Sequence, residues 1–301
     1  MSKTRPTRAG LAGRTYLDLQ NLARRTGQNT QHLLQLYALE GFLARLAMSP
    51  YASRLVLKGG VLLSVYDSRR PTRDIDLQAQ RLPNDDESML ALVRQIAATE
   101  LADGLILDPA SATARRIRDG DAYGGVRISL EARLASSRIP FHVDVNVGDP
   151  IWPGPQTIVL PGLLDRRIEL AGYPMCMVHA EKLVTMIDRG TANTRWRDFA
   201  DVYTLSGRQP VEASELTGAM TKVAAHRQVR LVLLVDILDE FPRLAQRQWE
   251  TWRRTQGLTE RLPYGFDDVL AAVIRFADPV LAGEVVAATW DPVARVWPTT
   301  A

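Results

Sequence analysis

The stretch LVLKGGVLLSVYDSRRPTRDIDLQ, Leu55 to Gln78, decides how the front of this chain folds. Leu55-Val56-Leu57 is a short apolar run of strand character, Gly59-Gly60 marks a turn, and Val61 to Tyr66 opens a helix. From Arg73 to Gln80 the residues alternate in the strand period, which sends Ile75 and Leu77 to one side and Asp74 and Asp76 to the other. A short helix and return loop suffice to bring the second strand back beside the first, so the glycine turn and the aspartate pair share one end of a sheet.

Two carboxylates that close repel each other unless solvent or a cation neutralises them. The D-x-D pair therefore admits two readings. It is either an exposed strand face pointing at water or a site for Mg²⁺, which accepts one or two carboxylates together with waters and phosphate oxygens. Gly59-Gly60 is likewise either a plain turn or a place where backbone N–H groups approach an anion with no side chain in the way. A third carboxylate stands in F-H-V-D-V-N-V, where Asp144 lies between apolar neighbours. It could complete a three-carboxylate metal site, act as general base toward an attacking hydroxyl, or face outward as an ordinary polar residue. His142 and Asn146 share its side.

Working outward, Thr15 to Met48 reads as helical, with Leu33, Leu34, Tyr37, Phe42 and Leu46 at helical spacing, and Ser49-Pro50 stops it. Asp85 to Asp103 reads as an amphipathic helix, and Gly125 to Arg133 and Ile139 to Val147 as strands. The Pro- and Gly-rich segment from Gly148 to Gly162 is loop or edge strand. From about Pro174 the pattern turns helical: Ala180 to Asp188, Trp196 to Ser206, Ala213 to Gln228, Asp267 to Phe276 and Asp278 to Thr289. The expected class is α+β. A mixed-sheet domain with flanking and N-terminal helices occupies residues 1–170, and a mainly helical domain, residues 171–301, completes the active-site cleft.

The helical half carries H-A-E-K-L, with Lys182, and T-R-W-R-D-F-A-D, in which Asp198 and Asp201 share a helical face while Arg197 is turned away. Lys182 is either a point charge for a triphosphate or part of a solvated face. Arginines such as Arg189, Arg195, Arg227, Arg230, Arg253 and Arg254 either line a path for an RNA backbone or form charged helix surfaces. Trp249 and Trp252, three apart, read as packing residues.

Composition permits this chemistry without demanding it. The 301 residues carry a formal charge of +3 with a pI near 9.1, and only Lys3, Lys58, Lys182 and Lys222 are lysines among 37 lysines and arginines, so each lysine merits a look. One cysteine, Cys176, excludes an intrachain disulfide framework and a Cys-rich zinc site. No apolar run approaches signal-peptide or membrane-spanning length, and the expectation is a cytoplasmic protein with no membrane partner.

The ordered set G-G, R-x-T-x-D-I-D, a strand aspartate, a lysine and R-D-x-x-D resembles the AbiEii-type nucleotidyltransferases, including the MenT toxins, of the DNA polymerase β-like superfamily. The matching positions are Gly59, Gly60, Arg70, Thr72, Asp74, Asp76, Lys182, Arg197, Asp198 and Asp201, over roughly residues 55 to 205. The resemblance implies a nucleotidyltransferase-like sheet domain that binds an NTP and Mg²⁺ or Mn²⁺ at Asp74 and Asp76. It implies transfer of a nucleoside monophosphate to the 3′ end of tRNA with release of pyrophosphate. The product would be a toxin that blocks translation and is opposed by a cognate antitoxin protein. Gly59, Gly60, Arg70, Thr72 and Lys182 would contact the nucleotide, Asp198 would assist acceptor activation or orient the lysine, and Asp144 ranks below Asp74 and Asp76 as a metal ligand. Many superfamily members carry Gly-Ser where this chain has Gly59-Gly60, which leaves phosphate contact to backbone groups or Ser64.

Thr72, two residues before Asp74, is a candidate phosphorylation site, since a phosphate there would place negative charge beside the metal site. Two other functions stay open from sequence: transfer to a hydroxyl of a protein or small molecule, and a non-catalytic module that binds RNA or protein on the same fold. The intact Asp74, Asp76 and Lys182 favour the enzyme.

Overall fold

Gly27 takes the left-handed conformation, φ +68°, and its N–H bonds back to the Ala23 carbonyl. The long helical stretch expected from Thr15 to Met48 therefore breaks here into α1 (Leu11–Thr26) and α2 (Thr30–Ala47). The Asn29 side chain caps the second helix by accepting the N–H groups of Gln31 and His32. The structure, a computed structural model, describes residues 6–66, 72–117 and 124–298.

Next come β1 (Leu55–Lys58), the single turn α3 (Gly59–Leu62), β2 (Asp74–Ala79) and α4 (Asp86–Ala97), whose Asp85 cap accepts the Ser88 N–H at 2.7 Å. β3 (Leu105–Ile117), β4 (Gly125–Leu134), β5 (Ser137–Val147), β6 (Gln156–Pro161) and β7 (Arg167–Gly172) complete a seven-stranded mixed sheet in the order β3-β4-β5-β2-β1-β7-β6. Antiparallel pairing joins β1 to β2, β3 to β4, β4 to β5 and β6 to β7, whereas β2–β5 and β1–β7 are parallel. The Pro/Gly-rich segment thus ends in an edge strand, β6.

The alternation of β2 and β5 sorts the two sheet faces. Ile75, Leu77, Phe141, Val143 and Val145 are buried, and Phe141 meets Phe42 of α2 edge-on with ring centroids 6.1 Å apart. Asp74, Asp76, His142 and Asp144 stand on the other face.

The chain divides into two compact units, Met1–Gly148 with Gln156–Gly172, and Asp149–Pro155 with Tyr173–Ala301. The second is helical: α5 (Met175–Arg189), α6 (Trp196–Ser206), α7 (Ala213–Arg227), α8 (Leu234–Leu238), α9 (Phe241–Thr255) and α10 (Phe266–Leu281). Its aromatic centre brings Phe199, Phe241 and Trp249 to ring-centroid distances of 5.2, 5.4 and 5.4 Å from Phe266. Trp249 is fully buried and stacks on Trp252, so the pair packs as expected. The helix expected from Asp278 to Thr289 does not form. α10 runs through Asp278, whose carboxylate accepts the N–H groups of Leu234 and Val235, and Gly283 at φ +73° ends it. The segment beyond folds back, with the Trp290 indole donating to the Ser206 carbonyl. Among the described residues no helix is long and apolar enough to cross a membrane.

One buried ion pair ties the first unit together. Arg45 of α2 grips both oxygens of Asp103, at 2.9 and 3.2 Å, with each side chain 3% exposed. Arg166 adds a contact at 3.2 Å, and Asp103 also accepts the Leu105 N–H. Removing one partner leaves an uncompensated buried charge, so Asp103→Ala is expected to lower the unfolding free energy by ~3–5 kcal/mol. Urea denaturation checks this, and a loss below about 1 kcal/mol, the scale of an exposed pair, would show that the network is not structural.

Candidate active site

The strand registers assemble a row of charge across the sheet. Arg127 of β4 lies opposite Asp144 of β5, Asp144 opposite Asp76 of β2, and Asp76 opposite Lys58 of β1. Directly opposed residues project to the same face, so the row reads cation, anion, anion, cation, with Asp74 one strand period from Asp76. Asp74 and His142 are themselves opposed, and the His142 Nδ1 lies 3.0 Å from the Ser129 hydroxyl.

Arg127 holds Asp144 in a bidentate grip, Nε to Oδ1 at 2.8 Å and Nη2 to Oδ2 at 2.6 Å, while the same Nη2 lies 4.0 Å from Asp74 Oδ2. Those hydrogen bonds, followed by the charges of Asp144, Asp74 and Asp76, raise the guanidinium pKa above its ordinary value against the opposing effect of burial. Asp144 is thus joined to Arg127. Among the described residues no group of three or more His, Cys, Asp and Glu side chains is arranged to hold a metal ion.

Asp74 and Asp76 fit a divalent cation by their chemistry and by the space kept for them. Both are partly exposed and supply hard oxygen donors of the kind Mg²⁺ and Mn²⁺ take. Thr72 is buried and its hydroxyl donates to Asp74 Oδ1 at 2.9 Å, which fixes that carboxylate. Gly59 sits at φ +67°, and a Cβ there would come within 2.6 Å of Asp76 Cγ. The first glycine of the pair is therefore required twice, by its backbone and by the aspartate beside it. Ser64 is buried and donates to the Val61 carbonyl at 2.8 Å. Arg70 lies outside the described residues. A cavity of about 650 Å³ borders Thr72 and His142 and is lined also by Asn29, His32, Gln35 and Arg73; neither Asp74 nor Asp76 lines it.

In the helical unit Lys182 of α5 is clamped by two carboxylates of α6, Asp198 Oδ1 at 3.0 Å and Asp201 Oδ2 at 2.7 Å, and Arg195 Nε takes the other oxygen of Asp198 at 2.9 Å. Both aspartates are buried, so the i, i+3 pair is a lysine holder and not a solvated face. Arg197 is exposed. Of the arginines considered for an RNA path, Arg227 is bonded to Thr185 and Arg253 to the Leu262 carbonyl, while Arg230 and Arg254 are exposed. Cys176 is buried, which pushes its thiol up to about 12.

Lys58 and Arg127 are the two residues of the charge row that sequence reasoning left out of the site. Lys58 carried a signal, as one of four lysines set directly before the glycine pair. Arg127 carried one only through register: β4 and β5 are joined by the two-residue turn Ala135-Ser136, and counting back equally from it pairs Arg127 with Asp144.

The family described as nucleotidyl transferase AbiEii toxin, type IV toxin–antitoxin system, matches residues 41–272. No curated protein sequence matches the chain. Two solved structures from Helicobacter pylori are similar to it. One, a candidate nucleotidyltransferase, is 15% identical, with a TM-score of 0.47 over 85% of this chain and 96% of that chain. The other, JHP933, is 14% identical, with a TM-score of 0.47 over 85% of this chain and 94% of that chain.

His179, one helical turn before Lys182, is fully buried against Phe276, and its two ring nitrogens make no hydrogen bond among the described residues. Burial first, and then the Lys182 charge, lower its pKa from 6.5 to about 3. The folded chain keeps the ring neutral where an unfolded chain protonates it. This contribution to stability is complete above pH 6.5 and is lost as the pH falls from 6.5 toward 3. Between pH 7 and pH 5 a His179→Leu variant is therefore expected to lose ~2 kcal/mol less stability than the parent. Urea titrations at the two pH values measure this, and parallel losses in both proteins would contradict it.

Proposed function

The chain belongs to the AbiEii nucleotidyltransferase toxin family, and from that premise we propose that it transfers a nucleoside monophosphate from an NTP to the 3′ end of tRNA. The reaction releases pyrophosphate, requires Mg²⁺ or Mn²⁺, and blocks translation in the cytoplasm. Family membership also implies an antitoxin partner, which we take to be a cognate protein. The observation that carries the reading is the face of β2 and β5, where Asp74 and Asp76 stand together beside Asp144 with the glycine turn at the end of the neighbouring strand.

In this reading the acceptor hydroxyl oxygen forms a bond to the α-phosphorus while the bond from that phosphorus to the β-bridging oxygen breaks, pyrophosphate leaves, and the hydroxyl proton is lost to solvent. Such an in-line displacement needs little covalent help, so positioning and charge neutralisation dominate. Asp74 and Asp76 would hold the metal, which supplies neutralisation of phosphate charge when bound. Thr72 keeps the Asp74 carboxylate turned into the site through its 2.9 Å bond. Gly59 and Gly60 let backbone approach the phosphates without a side chain between. Lys182, prevented from wandering by Asp198 and Asp201, offers a compact positive charge to the triphosphate, and Asp198 acts by orienting that lysine. Arg70 contributes a further cation to the nucleotide.

Regulation through Thr72 follows from the same contact. Phosphorylation would turn the donor that orients Asp74 into an anion lying against it. Because Thr72 is buried, the start of β2 has to open for a kinase to reach the hydroxyl.

Purified protein incubated with total tRNA, Mg²⁺ and each labelled NTP in turn is expected to label tRNA, and Asp76→Ala to reduce labelling by at least ~10³-fold. If tRNA stays unlabelled while Mg²⁺-dependent NTP binding persists, the acceptor is a hydroxyl of a protein or small molecule. If RNA binding persists unchanged in Asp76→Ala and in chelator while no NTP binds, the chain is a non-catalytic module. In the same assay Thr72→Glu is expected to lose both labelling and NTP binding while Thr72→Ser keeps them, and full activity in Thr72→Glu would remove the charge argument.

A further inference from the structure

Asp144 and Arg127 differ in how freely they can part. The Asp144 side chain is 10% exposed and fixed in the middle of the sheet, whereas the Arg127 side chain is 31% exposed. Bidentate pairing uses both Asp144 oxygens, at 2.8 and 2.6 Å, so this carboxylate has no oxygen free of the guanidinium. A carboxylate this buried is costly without a positive partner. Any departure of Arg127 therefore requires another cation to arrive, and the position where one can arrive lies between Asp144 and the directly opposed Asp76.

We propose that Arg127 is the resident counter-ion of the carboxylate row, that its grip keeps Asp144 out of metal coordination, and that release of this grip sets the affinity of the site for divalent cation. The assignment rests on the metal-site reading of Asp74 and Asp76 and extends it to a residue outside the family pattern. Three observations support it. Arg127 occupies both donor atoms of the third carboxylate. The same guanidinium nitrogen is 4.0 Å from Asp74, so one cation attends to two members of the row. Its exposure leaves solvent on one side into which the head can swing while the aliphatic stem stays on the sheet. Exchange of Arg127 for a divalent cation still leaves the carboxylates a positive neighbour and adds one charge to the row, whereas simple loss of Arg127 would leave like charges facing one another.

Mn²⁺ titration followed by electron paramagnetic resonance, on the whole chain and without acceptor, tests this independently of turnover. Arg127→Gln removes the charge and is expected to tighten Mn²⁺ binding at least about tenfold, because a cation no longer competes at the site. The double variant Arg127→Gln/Asp144→Asn is expected to lose that gain, since the freed ligand is gone. Without metal, Arg127→Gln is expected to melt below the parent and Asp144→Asn in the same chain to restore the difference. Wild-type affinity in a folded Arg127→Gln protein overturns the proposal, and so does equal tightening in the double variant, which would show that Asp144 is not the ligand set free; Arg127→Lys, which keeps the charge, separates release of the grip from bulk charge. Should Arg127→Gln fail to fold, Arg127→Lys keeps the charge but cannot grip both oxygens. It must still tighten Mn²⁺ by a smaller factor, and unchanged affinity overturns the proposal. Absence of Mn²⁺ binding by the parent itself would instead remove the metal-site reading on which the proposal rests.

Discussion

Three carboxylates held on one face of a sheet impose the constraint around which the first unit is organised. Asp74 and Asp76 share a face because strands repeat every two residues, and the parallel register of β2 and β5 sets Asp144 directly opposite Asp76. Left alone, such a row would repel itself apart or protonate. The neighbouring strands answer with Lys58 on one side and Arg127 on the other. The hydrophobic side of the same strands fixes the geometry: Ile75, Leu77, Val143 and Val145 are fully buried, so no strand can slip by a residue without turning its carboxylates inward. Charge on one face is thus held in place by apolar packing on the other.

The helical unit solves a related problem with the signs reversed. Asp198 and Asp201 hold the Lys182 ammonium in one place from adjacent turns of α6, as its proposed role toward an anionic substrate requires. The cost of burying those two aspartates is offset by Lys182 and Arg195. In both units the buried charge is matched by a neighbour whose geometry the backbone fixes. Phosphoryl chemistry depends on this kind of preorganisation, because charges already in place need no rearrangement as the reaction proceeds.

Much of this was legible in the sequence because local rules governed it. The alternation in Arg73 to Gln80 placed Asp74 and Asp76 on one face, and the spacing of Asp198 and Asp201 placed them on one turn. The mixed-sheet, α+β architecture and the family pattern were also readable, since they rest on order along the chain. What was hidden depended on pairing between distant segments or on backbone torsion. β3 escaped notice because its side chains do not alternate cleanly, β7 because its alternation covers only the short run Arg167 to Leu170, and Gly27 and Gly283 ended helices through left-handed torsions that hydrophobic spacing cannot reveal. Arg127 looked like one more arginine in an arginine-rich chain until the Ala135-Ser136 turn set its register. Burial of Asp198 and Asp201 was likewise invisible to a reading that knew the helix face but not what covered it.

Asp74 and Asp76 are proposed as the divalent-cation site of nucleotidyl transfer, and that assignment can be tested in place. A crystal grown with Mn²⁺ and a non-hydrolysable NTP, measured for anomalous scattering, addresses it directly. A manganese peak is expected within coordination distance of both carboxylates, about 2.0–2.3 Å from their oxygens, with triphosphate oxygens completing the shell. A peak elsewhere on the chain, or an ordered NTP with no metal between it and these two residues, would contradict it.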